Sequence, residues 1–293
     1  MFKNKSSLKQ KFAEITGSTQ TVAQKYLDSN SYDLQRAVDS YFSDPNNNSL
    51  LGSKKSKASS NFNKTLVSVF EQYKDPENEA QIDINGTMQY LEDLGLEPED
   101  PSTLTLSFFL SSPGMGIFNR DSFLHQWQRY KVYDIPAMKN FLKEYHESLV
   151  NNQGLYFTEG KDEPIYFKSL YDFTFDFLME PEQKLLDFES AILYWELLLP
   201  LVIDESVKSG KLEKSKKAAA EERTKQWFEF VRSSYKRSFS KDSWTMFYLF
   251  FKDVIVTDPI NFKDYDEMAA WPSVMDEYIE YLRENELLAE GDQ

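Results

Sequence analysis

The strongest constraint on the fold is a stretch near the carboxyl end, "DSWTMFYLFFKDVI" at residues 242–255. In this stretch apolar and aromatic side chains fall on nearly every face of a helix. A helix of this kind is stable only when other elements surround it. We therefore expect it at the centre of a helical bundle.

The rest of the chain also shows helical spacing. The segments "SAILYWELLLPLVI" and "QWFEFVRSSYK" are apolar and aromatic, as buried helices are, and residues 87–110 indicate two helices separated by a glycine and a proline. A further segment places four apolar side chains on one helical face: Leu66, Val69, Phe70 and Tyr73. Alternating β patterns are nearly absent, so the sequence predicts an all-α protein.

A change in composition divides the chain. Residues 45–61 are rich in Asn, Ser, Gly and Lys and carry no periodic apolar residues, which is typical of a linker. Residues 1–44 contain three short helical patterns, "LKQKFAEIT", "TQTVAQKYLDSN" and "DLQRAVDSYF". The sequence thus predicts a small three-helix domain over 1–44, a linker over 45–61 and a larger helical domain over 62–293.

Composition excludes several classes of protein. The 293 residues include no Cys and only two His, which rules out thiol nucleophiles, disulfides and zinc sites built from Cys or several His. A formal net charge of -15 argues against nucleic-acid binding and favours basic protein partners. Since no long apolar run and no secretory signal occur, we expect an intracellular protein, in the cytoplasm or nucleus, that binds no membrane.

Two loops of the larger domain partly match the pattern of a calcium-binding loop. In "DPENEAQIDING" the sixth position is Ala80 where the turn needs Gly, and the twelfth is Gly86 where a bidentate Glu is needed. The second loop, "SSPGMGIFNRDS", keeps Gly116 and the apolar Phe118 but has no carboxylate at its first, third or fifth position. Residues 62–150, approximately, are therefore predicted to form a pair of EF-hand-like units that binds no metal.

Catalytic chemistry has no clear candidates in this chain. His125 and His146 lie in helical patterns without the Ser, Cys or metal-ligand neighbours that nucleophilic or hydrolytic chemistry needs. A glycine-rich phosphate loop is also absent from the sequence. We therefore expect a binding protein with no catalytic residue and no cofactor.

The segment "FKDYDEMAAWPSVMDEY" at residues 262–278 crowds five carboxylates around two adjacent alanines. Helix capping explains Asp242, which follows a serine suited to an N-cap, and Asp276, which lies about one turn after the Trp-Pro pair. Capping explains neither the density of charge nor the small Ala269 and Ala270 beside it.

The amino-terminal segment resembles the ubiquitin-associated (UBA) domain. The resemblance rests on Thr16-Gly17 in the first loop and on Leu34, Ala37 and Phe42 in the last helix. It implies ubiquitin or a ubiquitin-like modifier as the ligand, with Thr16 and Gly17 as candidate contacts. The first loop lacks the Met-Gly-Phe form usual in this family, and a three-helix module that serves only packing is the alternative.

Four motifs carry a second, more specific resemblance. "YDFTFDF", "AILYWELLL", "SKDSW" and "YDEMAAWPSVMDEY" follow one another after the UBA-like segment and the EF-hand-like pair. Together they resemble the defective-in-cullin-neddylation family, whose main domain is the potentiating-neddylation (PONY) domain, and the whole pattern is similar to that of fungal members with both domains. The resemblance covers nearly the whole chain and implies a cullin-binding half at about 151–293.

The resemblance implies a scaffold-type ligase without catalytic residues of its own. Such a protein holds the winged-helix region of a cullin together with a conjugating enzyme charged with the ubiquitin-like modifier Nedd8, called Rub in yeasts. The modifier then passes to a cullin lysine, which activates cullin-RING ubiquitin ligases. The family's cullin-binding patch, an Asp, Ala, Asp set, corresponds here to Asp242, Ala270 and Asp276. The acidic stretch would then be a docking face for basic cullin groups.

The family's second site is an apolar pocket in the EF-hand-like half that takes the acetylated amino-terminal Met of the conjugating enzyme. Acetylation removes a charge that is costly to bury in an apolar cavity. By alignment of motifs, the predicted lining is Ile84, Thr87, Leu106, Ser107, Phe118, Phe177 and Leu197. Thr87 and Ser107 are more polar than such a pocket calls for.

Alternatives to the scaffold remain open. A ubiquitin-receptor adaptor would bind ubiquitin through the UBA-like module and dock a basic partner without affecting modifier transfer. A calcium sensor would need intact loops, and an enzyme with its own carboxylate chemistry would need a substrate that the sequence does not name.

One segment departs from the family pattern. Residues 204–225, rich in Lys, Ala and Glu, are longer than the pattern needs, and we predict an exposed loop that runs into a helix.

Overall fold

The computed structural model describes residues 2–16, 18–43, 62–180 and 182–288. They form two compact units, one up to Phe62 and one from Asn63 onward. The described ranges contain thirteen α-helices, a few short 3₁₀ and π turns and one pair of two-residue strands, which confirms the all-α class. The predicted linker at 45–61 lies outside the described residues, and the predicted domain limits stay predictions.

Three helices make up the first unit: α1 (Phe2–Thr16), α2 (Gln20–Ser29) and α3 (Leu34–Ser43). Each helix contacts the other two. Their core is aromatic at its centre, where the Phe12 ring stacks on Tyr26 and meets Tyr41 edge-on. The three predicted helical patterns are confirmed, although α1 begins several residues before the pattern that predicted it.

Two helix–loop–helix pairs open the second unit. Helices α4 (Lys64–Tyr73) and α5 (Ile84–Leu94) flank the first loop, and α6 (Pro101–Phe109) and α7 (Arg120–Arg129) flank the second. The loops join through an antiparallel pair of short strands, β1 (Gln81–Ile82) and β2 (Phe118–Asn119). The apolar face predicted for α4 is buried. This is the arrangement of an EF-hand pair.

Six further helices follow: α8 (Ile135–Val150), α9 (Phe167–Leu178), α10 (Phe188–Lys208), α11 (Lys217–Phe230), α12 (Lys241–Phe250) and α13 (Ser273–Glu284). Helix α12 continues as a π turn over Phe251–Ile255.

Helix α12 lies at the centre of this half, as the sequence predicts. Its Trp244 and Phe247 side chains are fully buried. Trp244 stacks on Trp195 of α10 with 5.2 Å between ring centroids, and Phe247 stacks on Trp227 of α11 at 4.2 Å. None of the helices in the described ranges combines the length and apolarity needed to cross a bilayer.

The segment at 204–225 was predicted to be an exposed loop that runs into a helix. The structure agrees on the helix, but the loop is short, since only residues 209–213 lie between α10 and the 3₁₀ turn that precedes α11. Helix α10 continues to Lys208, and α11 begins at Lys217 directly after a 3₁₀ turn. The Ala- and Glu-rich run has high helix propensity. The two helices are linked where Lys217 pairs with Asp204 at 2.7 Å. The lysine-rich composition predicts that the segment is exposed, but it does not predict whether the backbone is helical.

Candidate functional site

An apolar cavity of about 470 Å³ lies between the EF-hand-like pair and helices α9 and α10. Six of the seven residues predicted for the conjugating-enzyme pocket line it: Ile84, Thr87, Ser107, Phe118, Phe177 and Leu197. These residues come from four helices and one strand. The cavity therefore exists only when both halves of the second unit are folded together.

Leu106, the seventh predicted residue, does not line the cavity. Its side chain is fully buried in the core. On α6 the lining comes from Thr103, Leu104 and Ser107, which share one helical face at three- and four-residue spacing. Adjacent residues on a helix point about 100° apart, so Leu106 faces the core while Ser107 faces the cavity.

Both polar side chains predicted for the lining are satisfied within the protein. The Thr87 hydroxyl donates a hydrogen bond to the Gly116 carbonyl at 3.0 Å, and the Ser107 hydroxyl donates to the Thr103 carbonyl at 3.1 Å. Because both hydroxyl protons are in use, neither residue requires a polar partner from a ligand. The cavity therefore suits an apolar group better than the two polar residues of its predicted lining indicate.

Gly116 sets the shape of the loop beside the cavity. Its φ of +73° lies in the left-handed region, and a Cβ added there would lie 2.3 Å from Ile84 Cδ1. Glycine adopts this conformation without strain, and its lack of a side chain leaves room for the Ile84 side chain of α5.

The apolar rim of the cavity was missed by sequence reasoning. Met88, Met115 and Leu193 line the cavity and are 46%, 63% and 62% exposed. The Tyr194 hydroxyl of α10 lies 3.7 Å from the Met115 sulfur and so links the two sides of the mouth. Large apolar side chains exposed together beside a cavity mark a binding surface. The only signal in the sequence was the excess of apolar residues on α10.

Three carboxylates lie at the same cavity: Glu99, Asp100 and Glu196. Asp100 caps α6 by accepting a hydrogen bond from the Ser102 N–H at 2.7 Å, and Glu196 pairs with Arg232 at 2.7 Å. Glu99 has no hydrogen-bond or ion-pair partner among the residues that the structure describes. The mouth therefore favours a ligand whose apolar group is followed by a basic one.

Asp242, the first residue of the predicted cullin-binding patch, lies exposed in the first turn of α12. Ser240 caps this helix, as predicted, by accepting a hydrogen bond from the Ser243 N–H at 3.1 Å. The neighbouring Lys241 pairs with Asp176 at 2.6 Å. Within the described ranges the Asp242 carboxylate has no such partner, so it remains open to a binding partner.

Asp276 lies half-buried in the first turn of α13. The Tyr265 hydroxyl donates a hydrogen bond to its Oδ1 at 2.6 Å. Burial, and then this hydrogen bond, raise the pKa of Tyr265 well above its ordinary value. The hydroxyl therefore stays protonated at neutral pH and fixes the orientation of the carboxylate.

Ala270 lies exposed on the segment that joins α12 to α13. This segment rests on the end of α12, where the Tyr265 and Trp271 rings meet Phe250 edge-on at centroid distances of 6.2 and 5.5 Å. Helices α12 and α13 also contact each other. All three predicted patch residues therefore lie on one helix pair or on the segment that joins it.

Other carboxylates of this region are partly neutralised. Glu277 pairs with Arg237, and Glu267 pairs with Arg283 at 2.8 Å. Asp264 and Glu280 are exposed and have no partner among the described residues. The surface thus keeps a net negative charge after internal pairing.

The candidate ubiquitin contacts are less favourable. Thr16 is buried, and its hydroxyl donates a hydrogen bond to the Phe12 carbonyl at 2.7 Å. The side chain therefore completes the end of α1 and presents little surface to a partner. Gly17 lies outside the described residues.

The two histidines lie apart from these surfaces. His125 is exposed on α7, and His146 of α8 is largely buried with its Nδ1 2.8 Å from the Thr105 hydroxyl. Burial lowers the pKa of His146. The described residues include no group of three or more side chains able to hold a metal ion.

Two family models and several known proteins are similar to this chain. The family model described as "Cullin binding" matches residues 137–281, and the model described as "UBA-like domain" matches residues 8–48. "Defective in cullin neddylation protein 1" of Candida albicans is 46% identical over 97% of this chain and 99% of its own length. Proteins of the same name from Yarrowia lipolytica and Saccharomyces cerevisiae are 32% and 28% identical over 92% and 94% of this chain, and over 93% of their own lengths.

Proposed function

Because the chain belongs to the defective-in-cullin-neddylation family, we propose that it is a scaffold for cullin neddylation. It binds a cullin and the conjugating enzyme charged with Nedd8/Rub, and it promotes transfer of the modifier to a cullin lysine. The observation that supports this function best is that one unit carries two different surfaces suited to binding. One is the apolar cavity, and the other is the acidic surface of α12 and α13.

The cavity is the proposed site for the acetylated amino-terminal Met of the conjugating enzyme. Its volume of about 470 Å³ lies within the usual range for small ligand sites. The thioether of Met is flexible enough to fill an irregular apolar space. The acetyl group removes the ammonium charge that an apolar cavity disfavours, and the carboxylates of the rim suit basic residues that follow the Met.

The acidic surface is the proposed dock for the cullin. Asp242 and Asp276 are the carboxylates that pair with basic groups of the winged-helix region, and the small Ala270 side chain lets the cullin approach closely. Charge complementarity of this kind speeds encounter and fixes orientation more than it adds affinity.

The proposed mechanism is catalysis by positioning. The thioester chemistry belongs to the conjugating enzyme, and no covalent intermediate forms on this chain. Holding the thioester near the lysine converts a bimolecular step into a nearly unimolecular one. Two modest contacts on one body also reinforce each other through effective concentration.

The UBA-like region is proposed to bind ubiquitin or Nedd8/Rub as a domain of its own over 1–44, separated by the linker from a PONY domain over 62–293. Its match to the UBA-like family model also supports the alternative function of a ubiquitin-receptor adaptor. The two functions differ in one respect: the adaptor binds its partners without accelerating modifier transfer.

Calorimetric titration tests the cavity. An acetylated peptide from the conjugating enzyme's amino terminus is expected to bind more than tenfold tighter than the same peptide with a free amine. Leu193→Arg, at the exposed rim, should abolish binding, whereas Leu185→Arg, an exposed leucine outside the cavity, should not. Equal binding of both peptides would mean that the rim carboxylates accept a charged terminus and that acetylation is not recognised.

The cullin dock is tested separately with a cullin carboxyl-terminal domain. The variant Asp242→Ala/Ala270→Arg/Asp276→Ala should lose binding while it keeps its affinity for the acetylated peptide. The control Glu159→Ala/Asp162→Arg alters net charge by the same amount on an exposed loop elsewhere and should bind normally. Equal loss of cullin binding in both variants would show that the interaction depends only on net charge.

A further inference from the structure

Arg223 of α11 is a buried cation whose partners are all neutral. The residue is 8% exposed. Nε donates to the Pro259 carbonyl at 2.7 Å, and Nη2 donates to the Ile260 carbonyl at 3.1 Å. Nη1 donates to the Leu287 carbonyl at 2.8 Å and to the Gln226 side chain at 2.9 Å. Burying a guanidinium without a carboxylate is costly, so the arrangement calls for an explanation beyond stability.

The guanidinium holds a strained turn. Phe262, two residues after the Ile260 carbonyl that Arg223 binds, has a φ of +52°, which is unfavourable for a bulky side chain. The Phe262 ring is buried and lies 5.1 Å from the Arg223 guanidinium carbon. The Asp258 carbonyl accepts the Phe262 N–H at 3.0 Å. The hydrogen bonds and the ring contact together keep the chain in this conformation.

The strained turn leads directly to the docking surface. The Phe262 carbonyl accepts a hydrogen bond from the Tyr265 N–H at 2.9 Å, and the Tyr265 hydroxyl orients the Asp276 carboxylate at 2.6 Å. A second connection runs through the backbone, because the Arg223 carbonyl accepts the Tyr278 hydroxyl of α13 at 2.8 Å. Arg223 is therefore joined by short contacts to both the segment and the helix that carry the proposed patch.

We propose that Arg223 is a positioning residue for cullin docking. By holding the Pro259 and Ile260 carbonyls, it fixes the turn at Phe262 and thereby sets where Tyr265, Ala270 and Asp276 face a partner. The role in cullin docking rests on the proposed function. The structural effect, that Arg223 fixes the conformation of the 262–271 segment, does not depend on it. A lysine keeps the charge but lacks the planar fork that reaches several carbonyls at once.

The test compares Arg223→Lys and Arg223→Gln with wild type in the full chain. The control is Arg129→Gln, which removes an exposed arginine that donates to the Phe157 carbonyl on a different loop. For the Arg223 variants, the KM for the cullin domain in modifier transfer should rise at least tenfold. The KM for the charged conjugating enzyme and the affinity for the acetylated peptide should stay within twofold. Hydrogen exchange of the amides in 262–271 should accelerate in both Arg223 variants and not in the control.

Circular dichroism reports whether each variant is folded. If Arg223→Gln fails to fold, Arg223→Lys provides the same comparison. Tyr265→Phe, which removes the hydrogen bond to Asp276, is expected to raise the cullin KM by about two- to tenfold. A cullin KM unchanged in Arg223→Lys, or a parallel loss of peptide affinity in the folded variant, overturns the inference.

The inference and the proposed function fail in different ways. If wild type neither binds the cullin domain nor accelerates transfer, the proposed function fails. Hydrogen exchange then tests only the structural step, that Arg223 holds the 262–271 segment in place. Unchanged exchange over 262–271 in the Arg223 variants overturns this step, and faster exchange supports it.

Discussion

The Tyr265 hydroxyl engages one oxygen of Asp276 and leaves the other for a partner. We predict that Tyr265→Phe lowers the affinity for a cullin domain between about two- and tenfold, because the carboxylate gains freedom that binding must then remove. Loss of one hydrogen bond should change the free energy of unfolding by only about 1 kcal/mol. Titration with the cullin domain measures the first effect and chemical unfolding the second. Unchanged cullin affinity would show that the orientation of Asp276 is irrelevant.

The environment of His146 predicts how the stability of the folded protein depends on pH. Its pKa is lowered below the ordinary value of 6.5 by burial. Between the folded pKa and 6.5, the unfolded chain binds more protons than the folded chain, so stability is complete above about pH 6.5 and falls as the pH is lowered through this window. We expect His146→Gln to lose less stability than wild type between pH 7 and pH 5 in chemical unfolding. Equal losses would show that burial does not perturb this histidine.

At the scale of elements, the approach of α5 to α4 depends on one glycine. A Cβ on Gly86 would lie 1.9 Å from the Tyr73 carbonyl oxygen, a backbone atom that cannot move aside. Gly86→Ala should therefore destabilise the protein by about 3 kcal/mol or more. Gly114→Ala is the matched control, because no atom lies within 4 Å of its added Cβ. Similar unfolding curves for the two variants would contradict the close packing of these helices.

The elements that the sequence predicts best are those whose burial leaves a periodic pattern. Helix α12 was predictable because its apolar residues occur on all faces, and its start because Ser240 has the chemistry of an N-cap. Leu106 was placed in the cavity wrongly, since motif alignment assigns positions without their direction around α6. The rim residues Met115 and Leu193 come together only after α10 packs against a distant loop, and no local pattern reports such a contact.

Arg223 illustrates a different limit of sequence reasoning. On the sequence it belongs to a charged run that is typical of a solvated surface. In the structure it is buried and bonded to three backbone carbonyls far along the chain. Composition predicts the average exposure of a charged segment, whereas tertiary contacts determine which of its residues are buried.

At the scale of the whole molecule, the cavity and the acidic surface have no lining residue in common. We predict that saturating acetylated peptide leaves the affinity for the cullin domain unchanged within about twofold, because the two sites bind independently. The same peptide should abolish acceleration of modifier transfer, since it displaces the conjugating enzyme. Titration with and without peptide measures the first effect, and a transfer assay the second. Displacement of the cullin domain by the peptide would show that the sites overlap.

The most direct test of the scaffold is single-turnover transfer of the modifier from the charged conjugating enzyme to a cullin carboxyl-terminal domain. Wild type is compared with Asp242→Ala/Ala270→Arg/Asp276→Ala, and circular dichroism confirms that both are folded. The account predicts that wild type accelerates transfer at least tenfold and that the folded variant does not. Equal acceleration by the variant would place the cullin dock elsewhere. No acceleration by wild type would contradict the scaffold and favour the ubiquitin-receptor adaptor.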